Sequence, residues 1–304
     1  RRRSWRRCVI VLAFRRNWTL PPAKSSGRVF CVREVHGGTA ELLFRLKGGV
    51  EKPDVFWGGG VESLEAAKEL FAPCETEAAA FIPPAYRDAA RCWTGFSVMT
   101  MVIVYNSSLV RGTDVPRAWK DLASPFFADR VCIPDPEKSG SAYSMLNAIL
   151  LTAPGGNWDL LAAIKQQANA AGIASNAPLV HAAVASGEYF AGLTSEDSAL
   201  AFLHDNAGSS LAVVYPADGT VSVPDGVALV RGAEHERAAR EFMEFVLSKT
   251  VQAFIARNWM RRSVRTDVAL PDHAAGPSEI YILPYDIYEA AQQRELFLER
   301  WREL

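Results

Sequence analysis

The stretch "PDPEKSGSAYSML", residues 134 to 146, sets two hydroxyls and a glycine where a helix begins. A Pro-rich turn leads into Ser139-Gly140-Ser141. Apolar residues then recur at 142, 145, 146 and 149, the spacing of one helical face. Unsatisfied backbone N–H groups and the positive end of a helix dipole make such a place a ready anion site. Ser139 and Ser141 add hydroxyl donors, and Gly140 lets a ligand come close to the backbone. The plainer role for Ser141 is an N-cap worth about 1 kcal/mol. Glu196-Asp197, in "LTSEDS", is a second candidate. Adjacent carboxylates can divide acid and base work, but at a helix start they also simply favour the positive dipole end. The glycines of "WGGG", residues 57 to 60, are a third.

Familiar catalytic constellations are missing from the sequence. The histidines stand at 36, 181, 204, 235 and 273, with no H-E-x-x-H or H-x-H among them. His181, His204 and His235 fall on expected helices, where a surface or satisfied histidine is the ordinary reading. "GFSVM" lacks the second glycine of a nucleophile elbow and reads as strand. "WGGGVES" is not a dinucleotide fingerprint, and there is no Walker A lysine motif. The cysteines at 8, 31, 74, 92 and 132 form no C-x-x-C and have no histidine at zinc spacing. Their number is odd, so at least one thiol is unpaired within the chain. A Cys74–Cys92 disulfide is open to it in an oxidising compartment.

Composition fits a globular α/β protein. The 304 residues allow one large or two medium domains. Apolar residues make up 49% and charged residues 22%, and a formal net charge of −1 gives no reason to expect a nucleic-acid partner. No apolar run reaches the length of a transmembrane helix. The opening "RRRSWRRCVIVLAFRR" loosely resembles a signal peptide, with a basic region before a short apolar run from Cys8 to Phe14. Arg15-Arg16 is wrong for a cleavage region. The start without methionine reads as that of a fragment.

From residue 39 the pattern is regular. "TAELLFRLK" reads as a helix stopped by Gly48-Gly49, and "DVFWGGG" as a strand. Ser63 is placed to cap the next helix, "LEAAKELF". "GFSVMTMVIVYN" is a buried strand, as is "RVCIP". "NWDLLAAIKQQANAAG" is a helix with Gly172 at its C-terminal cap. "YFAGLTS" is a strand leading through a polar turn to a helix. "SLAVVYP" and "DGVALVRG" are strands. Two helices follow over 236–258, with Ser248 capping the second, and a last helix ends the chain. Alternating strands and helices imply parallel sheets and an α/β class. Ligands in such sheets bind beyond the carboxyl ends of the strands, where "WGGG", "EKSGSA" and "LTSEDS" lie.

Five stretches, taken together, carry a family resemblance: "DVFWGGGVESL", "PRAWKDL", "PDPEKSGSAY", "TSEDSALAFL" and "VVYPADGTVSVPDGVALVRG" with the helices after it. In this order they resemble extracellular solute-binding proteins of ABC importers, of the ferric-iron, phosphonate and phosphoglycerate type. The resemblance implies a two-lobe periplasmic-binding-protein (type II) fold with ligand held in a cleft between lobes. One lobe would hold residues 1–100 and 222–304, with 1–36 atypical of the family. The other would hold 106–215, with hinge strands near 99–106 and 215–223. Gly219 would then serve a hinge.

The implied function is capture of a small anionic solute, of phosphonate or phosphate-ester type, for delivery to a membrane permease. The implied ligand set is Thr39, Trp57, Gly58, Ser139, Gly140, Ser141, Thr194, Ser195, Glu196, Asp197, Tyr215 and Arg262. Trp57 is equally readable as core. The family's iron binders carry a tyrosine pair where this chain has "TSEDSALAF", and a "YEYP"-like stretch where it has "MRRSV". Arginine there suits an oxyanion, because its planar fork binds carboxylate or phosphate bidentately. Ferric ion as transported ligand, held by Tyr143 and Tyr215, is the alternative, and an enzyme on the same fold is the alternative of another class. The expectation is a monomer without cofactor or resident metal, periplasmic or extracellular, with a membrane anchor left open.

Overall fold

The computed structural model describes residues 8–13, 31–49, 52–175 and 177–304. Along the chain the elements begin with β1 (Cys8–Ala13), β2 (Cys31–His36), α1 (Thr39–Lys47), β3 (Val55–Gly60), α2 (Val61–Ala66), β4 (Phe71–Ala72) and the long β5 (Thr94–Asn106). Then come β6 (Val131–Pro134), α3 (Gly140–Leu150), α4 (Trp158–Ala168), β7 (Ile173–Ala174), α5 (Ala177–Ser186), β8 (Ala191–Ser195), α6 (Glu196–Asp205) and β9 (Leu211–Val214). The chain closes with β10 (Ser222–Val230), α7 (Glu236–Val246), α8 (Lys249–Trp259), β11 (Arg262–Ser263) and α9 (Ile287–Glu303). Contacts divide these into two units. Unit 1 runs to Val98 and takes in Pro224–Asn258 and Arg262–Leu270; unit 2 holds Met99–Val223, Trp259–Arg261 and Pro271–Leu304. The expectation that residues 271–304 belong with the N-terminal part is thereby corrected. α9 buries Phe297, Leu298 and Trp301, with Phe297 against Tyr143 and Trp158 of unit 2.

In unit 1, β1 lies between β2 and β3, parallel to both, and β10 runs antiparallel to β3. The run that resembled the apolar part of a signal peptide is therefore a strand. Six residues rich in β-branched side chains, paired on both edges, are what an interior parallel strand requires. Among the described residues no helix is long and apolar enough to cross a membrane. Trp57 sits in the core, edge-on to Phe96 at 4.9 Å and to Phe242 at 5.7 Å between ring centres. α2 starts at Val61 with Gly60 as its cap residue, so Ser63 lies inside the first turn instead of capping it. The reason is local: Gly58 and Gly59 take φ of 101° and 80°, which turns the chain straight from strand into helix.

Unit 2 is built on the second half of β5, which pairs antiparallel with β8 on one side and β9 on the other. β6 runs parallel to β8 and to β7. α4 stops at Ala168, before the glycine expected to end it. Asn169 takes φ of 45°, and its Oδ1 accepts from Ala171 N and Gly172 N. Gly172 instead lies beside β6, its carbonyl accepting from Ile133 N at 2.8 Å. Gly219, expected at a hinge, is a packed turn of unit 2. Its φ is 101°, its carbonyl accepts from Trp119 Nε1 at 2.8 Å, and a Cβ there would lie 2.7 Å from Leu283 Cγ. Of the thiols, Cys74, Cys92 and Cys132 are free and buried, so the Cys74–Cys92 bridge is not formed.

Candidate functional site

Each unit gathers polar groups where helices leave the carboxyl ends of its parallel strands. In unit 2 these are α3, which follows β6, and α6, which follows β8. Because β6 and β8 are adjacent and parallel, with Val131 beside Ala191 and Cys132 beside Gly192, both helices start at the same edge of the sheet.

The cap of α3 is Ser139, two residues ahead of the Ser141 expected. Its Oγ accepts from Ala142 N at 3.4 Å and lies 3.0 Å from Ser141 Oγ. Ser139 is itself held by a backbone bond to Asp135 O at 2.9 Å. Both serines are buried, and the first turn of α3 carries no acidic residue. One residue before α6's cap, Thr194 is fully buried and its Oγ1 has no hydrogen-bond partner among the described residues.

α6 opens differently. Ser195, at its cap position, makes no capping bond; its hydroxyl reaches Ser198 Oγ at 3.0 Å. Glu196 and Asp197 fill the first turn and are buried. Asp197 forms an ion pair with Arg261 at 2.9 Å, the side chains 2% and 1% exposed. Glu196 accepts a hydrogen bond from Tyr215 Oη, and that phenol in turn accepts from Ala275 N at 3.2 Å. The carboxylates are thus fixed by an arginine and a phenol, which suits binding and positioning better than proton transfer.

Unit 1 contributes α1, whose cap is Gly38 and whose first residue is Thr39. Thr39 is buried and its Oγ1 has no hydrogen-bond partner among the described residues. The hydroxyl lies over Gly59, where a Cβ would come within 2.5 Å of it. Gly59 therefore leaves room for a hydroxyl that any larger residue there would displace. A Cβ on Gly60 would likewise meet Glu62 Oε2 at 2.5 Å.

Other expected ligand residues fall elsewhere. Trp57 is core. Tyr143 is a core residue between α3 and α9, its hydroxyl donating to Ala290 O at 2.5 Å. Its phenol is therefore not presented to a metal. Tyr215 is turned to Glu196 rather than left open. Arg262 pairs in β11 with Val98 of β5, within unit 1, near Tyr86. Burial pushes the Tyr86 phenol up, with the Arg262 guanidinium pulling against it. Arg261, its sequence neighbour, is not picked out by the sequence, although it is the arginine that pairs with Asp197 of α6. Nothing in "MRRSV" separates the two; Met260, at φ of 54°, gives the turn that does.

Residues 51–288 match the family model of a bacterial extracellular solute-binding protein. The iron uptake protein A1 of Synechocystis is 31% identical over 82% of this chain and 72% of its own. A putative 2-aminoethylphosphonate-binding periplasmic protein of Salmonella typhi is 26% identical over 68% of this chain and 60% of its own. The chain spans only 55% of the length of another curated relative it matches, from Haemophilus influenzae. Among solved structures, the periplasmic binding protein AfuA of Actinobacillus pleuropneumoniae, with fructose-6-phosphate bound, superposes with a TM-score of 0.84. That likeness covers 97% of both chains at 17% identity, and it establishes a two-lobe periplasmic-binding-protein fold.

Proposed function

The chain belongs to the bacterial extracellular solute-binding protein family, and on that premise we propose that it captures a small anionic solute and hands it to the permease of an ABC importer. The first turn of α3 carries the reading. Its backbone N–H groups, the hydroxyls of Ser139 and Ser141 and the absence of an acidic residue there make a site for an oxyanion. Thr194, buried without a partner among the described residues, supplies a further hydroxyl at the same sheet edge. Phosphonates and phosphate esters are the ligand class that fits, in keeping with the name of the Salmonella relative and with the fructose-6-phosphate bound in the AfuA structure. The protein performs no chemistry on its ligand, acts as a monomer, and works outside the cytoplasmic membrane.

The name of the Synechocystis relative, an iron uptake protein, supports the second reading, in which the solute is iron, taken as ferric ion. Hard Fe(III) prefers phenolate ligands. Tyr143 is engaged in the core and Tyr215 is bonded to Glu196 and Ala275, so the oxyanion reading stands first. Thermal melts against phosphonates, phosphate esters and ferric citrate separate the two. Ligand at a hundred times its Kd adds about 2.7 kcal/mol, a shift of at least ~2 °C for a chain of this size. A shift with ferric citrate and none across the phosphorus panel would replace the oxyanion by iron. Turnover of any bound ester would make the protein an enzyme.

A further inference from the structure

We propose that Cys74 and Cys92 are a disulfide site that staples the segment between them onto unit 1. The inference concerns the scaffold and does not depend on which solute is bound.

Two separate interactions bring the cysteines together. Cys74 N donates to Arg91 O at 2.9 Å. Standard covalent geometry around such a bond puts the Cα of Cys74 and the Cα of the residue after the acceptor, Cys92, ~4–6.5 Å apart. A disulfide spans roughly 4.4–6.8 Å between Cα atoms. The residues next to the thiols, Glu75 and Arg91, form an ion pair at 2.5 Å with side chains 66% and 59% exposed. Those two meet in solvent, while Cys74 and Cys92 both turn inward, at 3% and 6% exposed. The turn that returns the chain to this register is fixed by Asp88, which accepts from Cys92 N at 2.9 Å, and by Arg91 at φ of 63°.

In the structure the thiols are reduced, with Cys92 Sγ 3.9 Å from Ala90 O and Cys74 near Arg240. Forming the bridge takes rotation about χ1 of each residue. Burial raises both thiols above their ordinary value, so the folded protein offers little thiolate to an oxidant. The bridge therefore forms as the chain folds, in an oxidising compartment. One thiolate attacks a small-molecule disulfide such as oxidised glutathione and releases one glutathione thiolate. The second cysteine, after losing its proton, then displaces the other. Two cysteine thiols and one oxidised glutathione give one protein disulfide and two reduced glutathiones. Cys132 has no part in this: it lies on β6 in unit 2, whereas Cys74 and Cys92 lie in unit 1.

The test is to refold the whole chain from urea in a glutathione redox buffer, block remaining thiols by alkylation, and map peptides without reduction. The expected result is a single cross-linked pair joining Cys74 to Cys92, with a melting temperature about 5 °C above the reduced protein. A variant with both Cys74→Ser and Cys92→Ser should melt at the same temperature with and without reductant. Recovery of Cys74 and Cys92 as alkylated thiols, as separate glutathione adducts, or joined to Cys8, Cys31 or Cys132 overturns the proposal.

Discussion

Two helices of unit 2 leave adjacent parallel strands at one edge of the sheet, and their first turns are furnished in opposite ways. α6 begins with Glu196 and Asp197, one accepting from Tyr215 and the other paired with Arg261. Its positive dipole end is already met by the protein's own carboxylates. α3 begins with Ser139, Gly140 and Ser141 and brings no acid of its own. The same backbone physics thus produces one terminus that is neutralised internally and one that carries no charge of its own. A helix N-terminus alone says little about function. The contrast between two at the same edge is what the proposed oxyanion site at α3 rests on.

The largest expected effect tests the internal half of that contrast. Arg261→Met removes the cation from a pair whose members are both buried. It leaves Asp197 without that charge and should cost about 3–5 kcal/mol in urea denaturation. Adding Asp197→Leu should recover much of the loss, because the desolvated charge then disappears too. A cost below about 1 kcal/mol for the single change would mean that Arg261 does not neutralise α6.

A second ion pair, in unit 1, supplies a milder reference. Lys68 Nζ lies 2.6 Å from Asp88 Oδ1, but Lys68 keeps a part of its side chain in solvent. Burial pushes the Asp88 carboxyl up, yet the Lys68 hydrogen bond and the N–H of Cys92 more than offset it and hold the carboxyl below its usual value. A depressed folded-state pKa gives stability that is complete above the unfolded value of about 3.9 and fades as pH falls through the folded value. Lys68→Met should cost about 2 kcal/mol at neutral pH. It should also flatten the loss of stability below about pH 4. An unchanged acid limb in urea titrations would show that Asp88 is not the group responsible.

Tyr143→Phe probes the iron reading at smaller cost. It deletes the bond to Ala290 O and should lower stability by about 1 kcal/mol. Any response of the melt to ferric citrate should be unaltered. Loss of such a response would return Tyr143 to the site.

Much of the fold is legible in the sequence because periodicity is local. The apolar run of β5, the amphipathic α7 and α8, and Ser248, which accepts from Val251 N at 3.4 Å, all follow from neighbouring residues. What failed depended on distant ones. β1 was obscured by the arginines around a six-residue strand whose meaning comes from β2 and β3 on either side. The fate of α9 was set by Tyr143 and Trp158, far away in sequence. The hydroxyl cap of α3 could be read, to within two residues, because a cap and an anion site use the same residue types; which of the two roles it serves is what the proposal tests. Arg261 could not be told from Arg262, since only the turn at Met260 decides which of them reaches Asp197. The phenols of Tyr143 and Tyr215 looked available because sequence does not reveal a hydrogen-bond partner 147 or 19 residues away.

The smallest change in stability carries the sharpest test of the comparison. Ser139→Asp makes α3 resemble α6 by placing a carboxylate at its N-terminus. Aspartate caps a helix about as well as serine, and its charge is favoured by the dipole by roughly 0.3–1 kcal/mol. Ser139 is buried, so desolvation offsets part of that gain, and the melt without ligand should stay within about 2 °C of the parent. Ser139→Ala, by contrast, loses the bond to Ala142 N and should cost about 1 kcal/mol. The two variants therefore differ in stability but should agree on ligand. With the α3 end occupied by its own carboxylate, phosphonates and phosphate esters should no longer raise the melting temperature of Ser139→Asp. If Ser139→Asp keeps the full ligand shift of the parent, the oxyanion does not bind at α3, and its role reduces to that of a capped helix.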